Sequence, residues 1–63
     1  MCESNAYVVD KDGNEKLLME NVDYLKSDGG RLLLRSIFGE ETSLDGQVRE
    51  MKLTAHKILV EAS

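Results

Sequence analysis

Sixty-three residues suffice for a single domain, 1–63, and a chain of this size buries only about 60% of its unfolded surface, so a lone copy is marginally stable. Twelve acidic against eight basic residues give a formal net charge of −4, a field that repels phosphate backbones and disfavours nucleic acid as a partner. The one cysteine excludes an internal disulfide, no apolar run approaches a membrane span, and no basic-then-apolar leader opens the chain, so the expected setting is cytoplasmic, with no membrane partner.

The chain opens on Met1-Cys2. A methionine ahead of a residue as small as cysteine is usually trimmed, which leaves a free α-amine and a thiol on one residue. Those two donors close a five-membered chelate ring around a metal ion. The amine has a reference pKa of about 7.7–8.0 and the thiol about 8.5, so both release protons at cellular pH when a metal competes for them. If Met1 is retained, its amine, the Cys2 amide nitrogen and the Cys2 sulfur offer a tridentate clip instead. Two copies of Cys2 across a twofold axis would supply two sulfurs and two nitrogens, a donor set suited to square-planar nickel(II) or copper(II). The plain alternative is an inert thiol packed as a small hydrophobe.

Downstream, short apolar segments alternate with turn signals. Residues 6–9 read as a strand, followed by Asp10-Lys11-Asp12-Gly13-Asn14 as a turn. Segments 15–19 and 22–26 come next. Leu18, Val22 and Leu25 have the i, i+4, i+7 spacing of a helix, and the strand reading requires a kink or bulge at Glu20-Asn21. Ser27-Asp28-Gly29-Gly30 is a second hairpin turn, leading to a strand over 31–38 with Leu32, Leu34 and Ser36 on one face. Glu40-Glu41 and Asp45 read as a solvated acidic loop, and Asp45-Gly46 as a third turn. Strands over 47–53 and 57–61 complete the chain, with His56, the sole histidine, in the turn between them.

Punctuation of this kind predicts an all-β fold, a small antiparallel β-sheet or open β-barrel. Several strands carry apolar residues on both faces. One face then packs the core and part of the other packs a second chain, which, with the short length, predicts a homodimer.

No serine lies in a nucleophile setting and no glycine loop cradles phosphate, so no enzyme is indicated. His56 has no second donor at strand or helix spacing, and a solvated turn residue is the default reading. Arg31, Arg35 and Arg49 with Tyr7 and Tyr24 sketch a modest RNA-facing patch, which makes a small RNA-binding β module the alternative function.

The order and spacing of Met1-Cys2, Asp12-Gly13, Asp28-Gly29-Gly30, the acidic segment from Phe38 to Glu41, and the final Ile58 to Glu61 strand resemble the CooT family along nearly the whole chain. Hydrogenase maturation chaperones of the HypC type share the Met-Cys start, but the downstream segments are more similar to CooT. The resemblance implies a small dimeric β protein, a nickel-binding metallochaperone that supplies nickel(II) for carbon monoxide dehydrogenase maturation. It also implies carbon monoxide dehydrogenase or its maturation factors as partners. Cys2 of each of two protomers carries over as the nickel ligand, and nothing else transfers.

Overall fold

A computed structural model describes residues 3–63, which form five strands and no helix: β1 Ser4–Val9, β2 Glu15–Asp28, β3 Arg31–Ser36, β4 Glu41–Lys52 and β5 Lys57–Ala62. The all-β expectation holds. Consecutive strands pair antiparallel, and β1 returns to lie parallel to β5, so the one sheet closes into a ring in which every strand has two neighbours. No helix among the described residues is long and apolar enough to cross a membrane.

Two glycine turns are as the sequence indicates. Gly29 and Gly30 both have positive φ, and Asp28 pairs with Arg31 around them, the two-residue hairpin that matches strand twist. In the first turn, the Asp12 and Asn14 N–H groups both donate to Asp10 Oδ1 at 2.9 Å. The Asn14 N–H is the main reason that the Asp10 carboxyl is held below its ordinary 3.8. A depressed carboxyl stabilises the fold fully above its unfolded pKa and loses that effect as pH falls through the folded value. Asp10→Ala should therefore lower the melting temperature at neutral pH, and the gap to wild type should narrow as pH drops below 3.8. A gap of constant size across that range would show that the carboxylate is not the source.

β2 runs as one strand of 14 residues where the sequence left helix and two-strand readings open. Asn21 takes a left-handed φ of 57°, a conformation that asparagine tolerates better than most residues. The register shifts on either side of it. β2 thus bends at the predicted kink, pairing its first half with β1 and its second with β3. The helical spacing of Leu18, Val22 and Leu25 is a by-product of this bend, since all three turn toward the core on a bulged strand.

Three boundaries need correction. β3 stops at Ser36, and Ile37 and Phe38 belong to the connection to β4, not to a strand over 31–38. Ser36 is buried; its Oγ accepts from the N–H groups of Phe38 and Glu40, so the hydroxyl ends the strand by bonding the loop backbone. The acidic loop is instead largely strand: Glu41 and Asp45 lie in β4, directly opposite Arg35 and Arg31 of β3. Opposite charges facing across a ladder favour pairing, a signal that the sequence carried in the spacing of two arginines and two acids. Asp45-Gly46 is accordingly not a turn. Gly46 sits mid-β4 beside Ala62, where its missing side chain lets the strands approach.

Ala6, Val22, Leu32, Leu34, Ile58 and Val60 form the buried core inside the ring. Leu32, Leu34 and Ser36 share the inward face as their alternation predicts.

Candidate functional site

Met1 and Cys2, and with them the expected metal ligand, lie outside the described residues. Ser4 opens β1 at one mouth of the ring, opposite Val22 on β2.

Asn5 organises the mouth. Its N–H donates to the His56 carbonyl at 2.9 Å, and its Oδ1 accepts from the Asn21 N–H at 3.2 Å. The Asn21 carbonyl in turn accepts from the Ile37 N–H at 2.9 Å. Asn21 and His56 are the two non-glycine residues with positive φ among the described residues, at 57° and 53°. Backbone in this sparsely populated region costs energy unless its surroundings hold it there. Both are held against the start of β1, three residues beyond Cys2. The sequence reading missed Asn5 and Asn21; an asparagine at a predicted kink was the available signal.

His56 is in the turn between β4 and β5, as expected, and is exposed. What sequence spacing concealed is that the parallel pairing of β1 with β5 brings this turn alongside the start of β1. Among the described residues no group of three or more His, Cys, Asp or Glu is arranged to hold a metal ion.

A cleft of about 200 Å³ opens at the same mouth, between the second half of β2 and the β4–β5 turn. Ser4 forms part of its wall, and Tyr24, Met51 and Leu53 stand on its rim. Leu53 is 76% exposed, Met51 53% and Tyr24 41%. The Arg35 guanidinium lies 4.8 Å from the centroid of the Tyr24 ring and braces it. Lys57, also on the wall, pairs with Glu15 at 2.5 Å and lies 5.0 Å from the Tyr7 ring centroid. The Glu15 hydrogen bond raises the Lys57 pKa above its ordinary value, so this pairing stabilises the fold below 10.5 and fades only as pH rises through the raised value.

A second, larger cleft of about 480 Å³ lies between the first half of β2 and the β3–β4 connection. Leu17 and Phe38 border it together with Glu20, Glu40 and Glu41. The RNA-facing patch is weaker than the sequence suggested. Arg31 is paired with Asp45 at 3.4 Å and Arg35 with Glu41 at 2.7 Å, so two of its three arginines already face carboxylates.

The family model described as CO dehydrogenase accessory protein CooT matches residues 1–61. A crystal structure of a CooT candidate from Carboxydothermus hydrogenoformans superposes with a TM-score of 0.89 at 35% sequence identity, covering 98% of this chain and 98% of that one. A search of curated proteins found no match.

Proposed function

Because this chain belongs to the CooT family of CO dehydrogenase accessory proteins, we propose that it serves carbon monoxide dehydrogenase maturation by carrying nickel(II) between the Cys2 residues of two protomers. It is an accessory protein and not an enzyme. The observation that carries the reading is the family match over residues 1–61, which includes the Met1-Cys2 start with its paired amine and thiol donors. Soft sulfur with nitrogen donors suits a late divalent metal. A site at the very start of the chain, formed between two subunits, can open and exchange ligands more readily than one enclosed by a core, which suits delivery over storage.

Nickel(II) added to the purified protein should produce ultraviolet thiolate-to-metal charge-transfer absorption, and native mass spectrometry should show one ion per two chains. Protons compete with the metal for the thiolate and the amine, so affinity should fall as pH drops below about 7. Tight binding that is independent of pH and lacks the charge-transfer band would remove the thiolate from the site.

A further inference from the structure

We propose that the edge of β2 from Leu17 to Asn21 takes up an extended segment of a partner protein as an added strand, one that carries lysine or arginine beside apolar residues. The site needs neither Cys2 nor a metal.

Its position follows from how β2 is shared. β1 and β3 flank β2 on opposite sides. β1 lies along it from Glu15 to Val22, whereas β3 pairs with it only from Val22 onward. Ahead of the kink, the side of β2 turned toward β3 therefore has no strand beside it among the described residues. The first group to cap that side is the Ile37 N–H, which donates to the Asn21 carbonyl at 2.9 Å. Alternate residues of a strand direct their N–H and C=O groups to either side, so this stretch presents backbone donors and acceptors outward, a template for strand addition. The cleft of about 480 Å³ follows the same stretch, with residues 17–21 on one side and Phe38, Glu40, Glu41 and Thr42 on the other.

The far side of the cleft is already formed. Phe38 is 73% exposed, yet the backbone that carries it is pinned. The buried Ser36 hydroxyl accepts from the Phe38 N–H at 3.2 Å and the Glu40 N–H at 3.3 Å, and the Ser36 carbonyl accepts from the Gly39 N–H at 3.0 Å. An aromatic ring standing in solvent on such a backbone, facing the exposed Leu17, offers an apolar anchor with little further ordering to be done on binding.

Charge says what the segment carries. No lysine or arginine lines the cleft. Glu41 is paired with Arg35 at 2.7 Å and contributes no free charge, but Glu20 and Glu40 have no ion-pair partner among the described residues. Two such carboxylates beside an apolar wall complement a strand that is both cationic and apolar. They also oppose a second copy at this edge, because a twofold contact presents the same patch twice and would set four carboxylates together.

Capped peptides of about seven residues, the span of an ordinary strand, test the site by titration into isotope-labelled full-length protein without added metal. A peptide that alternates lysine with valine should shift the amide resonances of residues 17–21 and 38–42, and its affinity should fall as salt rises. One that alternates glutamate with valine should bind at least about tenfold more weakly. N-methylation of the lysine peptide keeps its charge but removes its backbone donors, and should also weaken it about tenfold or more; undiminished affinity would overturn strand addition. Glu20→Lys, Glu40→Lys and Phe38→Ala, all at exposed positions, should keep the far-ultraviolet circular dichroism of the β fold, and each should weaken the lysine peptide about tenfold. Failure of that peptide to bind even at low ionic strength, or shifts confined to other residues, would remove the site. Sedimentation with saturating peptide covers the other occupant: an unchanged number of chains per particle is expected, and a change would mean that a second copy holds this edge and the proposal fails.

Discussion

Replacing Cys2 with serine should lower nickel(II) affinity by orders of magnitude and leave the fold intact. The hydroxyl does not ionise at neutral pH, so the variant loses both the anionic donor and the soft sulfur that late transition metals favour. The α-amine remains, but alone it closes no chelate ring of comparable strength. His56→Ala is the matched control, because its turn lies beside the start of β1 yet it belongs to no group of three or more His, Cys, Asp or Glu that could hold a metal among the described residues. It should change affinity little. Isothermal titration of both variants decides between the two ends of the chain. Tight binding that survives in Cys2→Ser and disappears in His56→Ala would move the site from the chain start to the β4–β5 turn.

Gly46→Ala should destabilise the protein by roughly 2–4 kcal/mol, a large share of the roughly 3–9 kcal/mol expected for a chain of this length. A Cβ at this position would run into the backbone carbonyl of Glu61 on β5, and a backbone atom cannot swing aside as a flexible side chain can. Relief requires β4 and β5 to separate where they are stitched to the rest of the ring. The Gly46 N–H donates to the Gly30 carbonyl at 2.8 Å and the Ser63 N–H to the Asp45 carbonyl at 2.9 Å. Two such bonds, each worth about 1 kcal/mol net, are strained or lost along with local packing. Gly13→Ala provides the contrast. Its φ of 85° strains an alanine, but nothing lies within 4 Å of the new Cβ, so the cost should stay near ~1 kcal/mol. Urea denaturation midpoints compare the two; equal losses would mean that conformation alone, and not the close approach to Glu61, governs Gly46.

Some of this protein is decided by chemistry local in sequence. The Gly29-Gly30 hairpin arises from residues that alone tolerate positive φ cheaply, and the inward face of β3 from the two-residue alternation of Leu32, Leu34 and Ser36. The cysteine at the second position, and the order of segments that matches the CooT family, are likewise properties of the linear chain. Other features depend on neighbours distant in sequence. Asp45-Gly46 has the composition of a turn, yet it lies within a strand because Arg31 faces Asp45 and Glu61 leaves no room for a side chain at Gly46. Leu18, Val22 and Leu25 have the spacing of a helix, but long-range pairing of β2 with both β1 and β3 outweighs that local periodicity and bends the strand at Asn21. The parallel return of β1 along β5 places His56, Asn5 and the cleft beside Ser4 at the start of β1. Spacing along the sequence cannot reveal that grouping, because closing the ring joins residues some fifty positions apart, and only the burial of a common core repays the entropy of bringing them together.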